Sequence, residues 1–315
     1  MERSDDQTGR SSAGNPPAYG DSLTVLLTSI GFGFVTAAIV ALAAIGLSLQ
    51  IGVTNVPNFA HGELITFGAY GALIVQFVTD NVLLDTLGGM ALAGVTAWAM
   101  NRFVLQSFVK KGAPRIYLLI ATAGLSFFLQ NLLAFIFGER TQVLQLPSGS
   151  STGYHVGPFL WTGVDLLIMA AAIVAVAALY VVLQFTKFGK AQRAVSNNPE
   201  LARVSGIPVN RVINLTWLIA GLLAGLAGVA VAGTTGSMVP TIGSDFLLVV
   251  FAAAIVGGLG RPYGALIAAV IVGLVTEVSA AYINSAYKTT VAVAILVLAI
   301  LIRPNGIFTV SREIT

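Results

Sequence analysis

Residues 163–186 read GVDLLIMAAAIVAVAALYVVLQFT, a stretch in which Asp165 is the only charged side chain. An α-helix needs about 20 consecutive apolar residues to cross the hydrocarbon core of a bilayer. The stretch is therefore predicted to be a transmembrane helix, and other parts of the chain repeat its character. The further predicted membrane segments are 23–50, 60–79, 84–105, 116–137, 212–234, 244–260, 264–284 and 287–303.

The composition of the whole chain agrees with a bundle of such helices. Of the 315 residues, 56% are hydrophobic and 9% are charged, and the mean hydropathy is +0.88. Soluble domains carry about 25% charged residues, so lipid is expected to cover most of this surface. The sequence predicts an all-α, polytopic membrane helix bundle of eight or nine transmembrane helices. Small residues four apart, such as Gly221 and Gly225, predict close helix contacts.

Polar segments flank the predicted bundle at both ends. Residues 1–22 are predicted to be a disordered polar tail, residues 23–304 the transmembrane domain, and residues 305–315 a cytoplasmic tail. The chain has no cysteine, which excludes disulfides and thiolate metal sites. Its two histidines, His61 and His155, lie far apart in the sequence, so no metal site is predicted. No cofactor is expected.

The basic residues are concentrated in alternate loops. If the loop 187–211 is cytoplasmic, twelve of the sixteen Lys and Arg residues lie on that side. This asymmetry follows the positive-inside rule, with nine crossings, an outside N-terminus and a cytoplasmic C-terminus. It also explains the basic pI near 9.3 without a nucleic-acid partner. The twelve are Arg102, Lys110, Lys111, Arg115, Lys187, Lys190, Arg193, Arg203, Arg211, Arg261, Arg303 and Arg312.

The loop 187–211, KFGKAQRAVSNNPELARVSGIPVNR, carries the signals of a short helix outside the membrane. Asn198 is a competent N-cap, and Pro199 suits the first helical position. Gly206 favours a stop, which predicts a helix over 199–205. From the residues alone, this helix is either a solvated connection or a docking element, and both interpretations stay open.

A resemblance favours the docking element. Glu200-Leu201-Ala202-Arg203-Val204-Ser205-Gly206 is similar to the E-A-A-x-x-x-G loop of bacterial ABC importer permeases, although Leu201 replaces the second consensus residue, Ala. In that family the loop forms a coupling helix that docks into a cytoplasmic ATPase. The resemblance therefore implies ATPase-coupling residues, namely Arg193, Ala194, Glu200, Ala202 and Gly206.

Further motifs extend this resemblance over residues 24–308. They are Gly46-Leu47, Asn58-Phe59-Ala60-His61-Gly62-Glu63, Gly68-Ala69-Tyr70, Arg193-Ala194-Val195, Phe251-Ala252-Ala253, Gly257-Gly258-Leu259-Gly260 and Arg303-Pro304-Asn305-Gly306-Ile307-Phe308. Together they resemble the branched-chain amino-acid ABC transporter permease family, in its H-type inner-membrane subunit.

The resemblance implies a division of labour between subunits. Members of that family work with a second related permease, two cytoplasmic ATPases and an extracytoplasmic substrate-binding protein, in the inner membrane of a prokaryotic cell. The only Gly-Lys pair, Gly189-Lys190, lacks the context of a phosphate-binding loop. The chain is therefore expected to be no enzyme itself, and ATP hydrolysis is assigned to other subunits.

Polar residues at membrane depth are candidates for the translocation path. Pro57 disfavours helix at Val56 and predicts a broken or re-entrant start of the second segment. Polar groups are tolerated there only against protein or a water-lined cavity, so they either line the path or fix the helix start. The candidates are Asn55, Asn58, His61, Glu63 and, in a late segment, Glu277.

The substrate is not encoded in any motif of the chain. A branched-chain amino acid is the favoured substrate, and an importer of urea or short amides is the nearest alternative. A gradient-driven secondary transporter would explain the bundle and Glu277 but not the coupling-helix motif. A membrane-embedded enzyme would need clustered acids or histidines, which the sequence does not offer.

Overall fold

A computed structural model describes residues 19–79, 81–144 and 153–302, together with Gly306. Apart from Gly306, the predicted tail 305–315 lies outside these residues, and so does most of the predicted tail 1–22. The described part is almost entirely helical, as predicted for an all-α bundle. The helices are α1 Tyr19–Thr54, α2 His61–Gln76, α3 Val82–Ala99, α4 Gln106–Lys110, α5 Arg115–Phe137, α6 Gly163–Phe185, α7 Lys187–Asn197, α8 Pro199–Val204, α9 Val209–Thr235, α10 Ile242–Val256, α11 Pro262–Tyr282 and α12 Lys288–Ile302.

Seven helical segments of the described residues are long and apolar enough to cross a membrane. One of them joins α3 to α4 through a π-helical turn at Met100–Leu105. Each of the nine predicted segments overlaps one of these helices, but α2 and α10 have only 16 and 15 residues. Both are shorter than the roughly 20 residues of a full crossing. The expected count of eight or nine crossings is therefore not confirmed.

The centre of the bundle is built on α1 and α9. α1 packs against α6, α9, α10 and α11, and α9 packs also against α2 and α3. Glycines allow the closest of these contacts, as predicted from their spacing. A Cβ added to Gly221 would lie 2.6 Å from the Ala93 carbonyl oxygen, and one added to Gly225 would lie 2.8 Å from the Ala93 Cβ. Both glycines thus bring α9 against α3.

The short helix α2 begins far from the end of the helix before it. α1 ends at Thr54, and Asn55 turns the chain with a φ of 53°. The first residue of α2 is His61, whose Nε2 lies 3.0 Å from the carbonyl oxygen of Ala43. Since its Nδ1 also lies 3.1 Å from Gln50 Oε1, α2 starts beside the C-terminal half of α1 and not beyond its end. This agrees with the re-entrant start predicted at Pro57.

A small β-hairpin covers the start of α1. Its strands are β1 Gly153–Val156 and β2 Phe159–Thr162, which pair antiparallel. Trp161 of β2 donates a hydrogen bond of 3.0 Å from Nε1 to the Gly31 carbonyl. The following helix α6 begins in a capping box of Thr162 and Asp165. The predicted outer loop 138–162 thus contains a β-hairpin, and residues 145–152 of it lie outside the described part.

Candidate translocation site and coupling surface

The N-terminal ends of α2 and α10 meet inside the bundle. A Cβ added to Gly62 would lie 2.8 Å from the Gly243 carbonyl oxygen, and the backbones of the two residues are in contact. The Gly243 N–H donates a 3.1 Å hydrogen bond to Thr66 Oγ1. Because His61 contacts Ala43 and Gln50 in the C-terminal half of α1, both helix starts lie beside an apolar helix that is long enough to cross a membrane. Their dipoles direct partial positive charge toward this junction.

A fully buried amide and imidazole network fixes the start of α2. Asn58 donates from Nδ2 to Gln50 Oε1 at 2.9 Å, and its Oδ1 accepts the Ala60 N–H at 3.1 Å. His61 Nδ1 lies 3.1 Å from the same Gln50 oxygen. Asn58 and His61 are at most 1% exposed. They join α1 to the linker and to α2, which is the structural role that the sequence left open for them.

Two carboxylates flank the junction. Glu63 is completely buried, its Oε1 accepts a 3.0 Å hydrogen bond from Ser126 Oγ of α5, and its Oε2 has no hydrogen-bond partner among the described residues. Asp245 lies in the first turn of α10 and is exposed on the surface of the single chain. Its Oδ2 accepts a 3.2 Å hydrogen bond from Thr241. An exposed carboxylate at this depth requires water or another protein surface.

The other two predicted path residues lie elsewhere. Asn55 is exposed in the turn after α1. Glu277 of α11 accepts hydrogen bonds of 2.7 Å from Thr36 Oγ1 and from Lys288 Nζ. Glu277 therefore links α11 to α1 and to the start of α12.

The predicted short helix in the loop 187–211 is present as α8. Asn198 Oδ1 accepts the N–H groups of Glu200 and Leu201 at 3.0 Å each, and Pro199 occupies the first turn. Gly206 ends the segment with a φ of 82°, where no neighbour limits the space. The cap and the stop predicted from the sequence are confirmed. The preceding helix α7 was missed, because its polar, basic sequence was interpreted as loop.

Ala202 of α8, which the resemblance implies is an ATPase-coupling residue, is not exposed on the surface of the chain. Ala202 is 3% exposed, so it packs within the chain, where α8 contacts α7 and α9. Leu201 is 63% exposed and Val204 is 86% exposed. These two positions are three apart and share one helix face. The exposed apolar face of α8 therefore consists of Leu201 and Val204, and Leu201 is the residue that departs from the consensus.

The remaining coupling candidates surround this face. Glu200 is exposed in the first turn of α8, and Gly206 is exposed at its end. Arg193 of α7 is exposed and donates from Nη1 to the Leu183 carbonyl, and Ala194 is half-buried against the core. All of them lie on the segment between α6 and α9.

Residues 29–300 match the family model described as "Branched-chain amino acid transport system / permease component". The chain belongs to this family. The permease is 31% identical over 281 residues to the high-affinity branched-chain amino acid transport system permease protein LivH of Escherichia coli, covering 85% of this chain and 90% of the relative. It is 30% identical to the probable LivH of Methanocaldococcus jannaschii, covering 85% and 88%, and 29% identical to the ribose import permease protein RbsC of Escherichia coli, covering 83% and 81%.

The family resemblance inferred from the motifs of the permease is thereby confirmed. Sequence reasoning missed three members of the junction, Gln50, Ser126 and Asp245. All three lie inside predicted membrane segments and carry no local signal of such a role. Both helix starts combine a glycine with a nearby acid. These two motifs, Gly62-Glu63 and Gly243-Ser244-Asp245, are the sequence feature that could have revealed the permease's junction.

Proposed function

We propose that the permease is the membrane-spanning subunit of an ATP-driven importer of amino acids, with branched-chain amino acids as the preferred substrate. The observation that carries the proposal is the family match over residues 29–300. Its partners in this proposal are a second related permease, two cytoplasmic ATPase subunits and an extracytoplasmic substrate-binding protein. Hydrolysis of ATP occurs on the ATPase subunits.

The docking site for the ATPase is the exposed face of α8. A six-residue helix outside the membrane that exposes Leu201 and Val204 to water has a free-energy cost, which a protein groove removes by burying both side chains. α7 and α8 form the chain segment that joins α6 to α9, so movement of the ATPase reaches both helices through them. Glu200 in the first turn of α8 is favoured by the helix dipole and is available to a basic partner.

The translocation path passes the junction of α2 and α10. An amino acid carries an ammonium and a carboxylate group, and the junction offers both complementary charges. Glu63 and Asp245 suit the ammonium group, and the two helix N-termini suit the carboxylate. In the present conformation Glu63 is buried beneath α5 through Ser126, so the path is closed at this level. Opening requires α5 to move away from α2.

The membrane orientation follows from the charged loops. α7, α8 and the loop before α5 carry the clustered basic residues, so this end of the bundle is cytoplasmic. The β-hairpin lies at the opposite, extracytoplasmic end, together with the N-terminus.

Transport by the reconstituted complex tests the proposal. The permease, purified with the subunits that co-purify with it, is placed in proteoliposomes with its binding protein, and uptake of radiolabelled leucine is measured. Uptake should require ATP and the binding protein and should be unaffected by dissipating proton and sodium gradients. Gradient-dependent uptake without ATP would instead identify a secondary transporter. ATP-driven uptake of ribose, urea or a short amide, but not of leucine, would refute the substrate assignment.

The path assignment is tested at Glu63. Glu63→Gln removes the charge but retains the acceptor for Ser126, so the complex should assemble and hydrolyse ATP while leucine uptake falls by about tenfold, the equivalent of one lost ionic contact. Glu139→Gln, an exposed carboxylate outside the junction, is the matched control and should transport normally. Failure of the Glu63→Gln variant to accumulate in the membrane would assign Glu63 to structure, and unchanged uptake would remove it from the path.

A further inference from the structure

An apolar groove of about 820 Å³ runs along the outside of the bundle between α6 and α11. Both helices pack against α1, whose residues Ala37, Ala38 and Ala41 form the groove floor. On α6 the groove extends from Met169 to Val181, which corresponds to about 18 Å at the rise of a helix. One leaflet of the hydrocarbon core is about 15 Å deep. The groove, which also reaches Trp161 of the hairpin, is therefore long enough to hold a lipid acyl chain.

A polar pocket of about 430 Å³ continues the groove at the end beside α7. Tyr263 lines both spaces. Arg193 and Arg261 line the pocket, and none of the described residues around it is acidic. Its other polar lining residues are Gln184, Gln192, Ser196 and Asn197. The pocket thus concentrates positive charge and amide donors directly next to an apolar channel.

The junction between the two spaces has the character of a membrane interface. The rings of Tyr180 and Tyr263 meet edge to face with centroids 5.8 Å apart, and tyrosine is enriched at the level of lipid headgroups. Arg193 is held over the pocket by its hydrogen bond to the Leu183 carbonyl. Since a guanidinium group has five N–H donors, Arg193 retains donors for a ligand.

We propose that the groove and the pocket together bind one anionic phospholipid. Its acyl chain lies between α6 and α11, and its phosphate lies between Arg193 and Arg261. Basic pockets between transmembrane helices are suited to anionic headgroups, and guanidinium groups bind phosphate through paired N–H donors. A second copy of this face does not suit the pocket, because none of the described residues that line the two spaces is an acid that could pair with the arginines.

Lipid binding to the full-length permease, purified from the membrane, tests the proposal. Native mass spectrometry measures the retention of added phosphatidylglycerol and of phosphatidylcholine with the same acyl chains. Phosphatidylglycerol should be retained preferentially, and Arg261→Gln should lower this preference about fivefold, the equivalent of one basic contact. Ala177→Trp fills the groove and should abolish retention of both lipids. Val174→Trp, on the same helix but outside the groove and 68% exposed, is the matched control and should retain them.

Several outcomes would overturn the proposal. Equal retention of the two lipids by the unmodified chain would exclude a headgroup site, whether or not the Arg261→Gln variant folds. Displacement of phosphatidylglycerol by glycerol phosphate alone would indicate a site for free phosphate esters. Undiminished retention by Ala177→Trp would place the lipid elsewhere on the surface. Loss of pairing with a second permease in Ala177→Trp, with lipid still bound, would make the groove a protein interface.

Discussion

Gly62 and Gly243 touch where α2 and α10 begin, and neither position has room for a methyl group. The contact is between backbones, so no flexible side chain can move aside to accommodate a Cβ. Small residues at this point are therefore required by the proximity of the two helices rather than by a turn.

Alanine at either glycine should destabilise the fold. Gly243→Ala places a methyl group against the Gly62 carbonyl and Thr66, and overpacking of this kind typically costs about 1–3 kcal/mol. Gly62→Ala should cost somewhat less. The control is Gly124→Ala in α5, where nothing lies within 4 Å of the added Cβ and helix propensity should make the change neutral or stabilising. The measurement is thermal unfolding in detergent, and equal midpoints for all three variants would contradict the packing argument.

The ion pair of Glu277 and Lys288 should respond unequally to loss of either partner. The Glu277 side chain is 13% exposed and that of Lys288 is 42% exposed. Lys288→Met leaves a nearly buried carboxylate without its cation, whereas Glu277→Gln leaves a lysine that can extend to water and an amide oxygen that still accepts from Thr36. Lys288→Met should therefore lower the free energy of unfolding more, by roughly 1–3 kcal/mol.

The double variant Glu277→Gln/Lys288→Met provides the comparison for this pair. It should be more stable than Lys288→Met alone, because the unpaired charge is gone. A larger loss from Glu277→Gln than from Lys288→Met would show that the carboxylate has a different main partner.

At the scale of single elements, the exposed side chains of Leu201 and Val204 test whether α8 is the proposed docking site for the ATPase. Leu201→Asp or Val204→Asp should leave the bundle folded, because both side chains are already in water, but should lower co-purification of the ATPase by about tenfold or more, as for a central interface residue. Asn210→Asp, exposed at the start of α9, should co-purify normally. Normal co-purification of both aspartate variants would remove α8 from the ATPase interface.

The variant Ala202→Trp is expected to act on the stability of the permease, whereas the variants at Leu201 and Val204 are expected to act on docking. Because Ala202 is buried against the permease itself, a large side chain there should lower stability before it affects docking. A reduced unfolding midpoint would distinguish this effect from a loss of contact with the ATPase.

The elements that could be predicted from the sequence are those whose start, end or length is determined by residues within or next to the element itself. The start and stop of α8 follow from Asn198, Pro199 and Gly206, and the long helices follow from runs of apolar residues. The short lengths of α2 and α10 could not be predicted, since they depend on the contact of Gly62 with Gly243. Likewise, the inward packing of Ala202 and the pairing of Glu277 with Thr36 are set by distant parts of the chain.

At the scale of the whole molecule, the positive-inside orientation can be tested by labelling. The permease has no cysteine, so single cysteines can be introduced. In intact cells an impermeant maleimide should label His155→Cys in the exposed hairpin, and should label Ser205→Cys at the end of α8 only after the cells are opened. Ala227→Cys, completely buried, should remain unlabelled in both. Labelling of position 205 from outside would reverse the orientation.

The contact between the starts of α2 and α10 can form only late in the synthesis of the chain. Thr66 and Gly243 are 177 residues apart in the chain. At about 5–20 residues per second, roughly 10–35 s pass between the appearance of one and of the other at the ribosome. During this interval α2, with the acidic Glu63 in its first turn, has no α10 to cover it. The N-terminal half of the nascent permease is therefore made before the contact that holds the start of α2 can form.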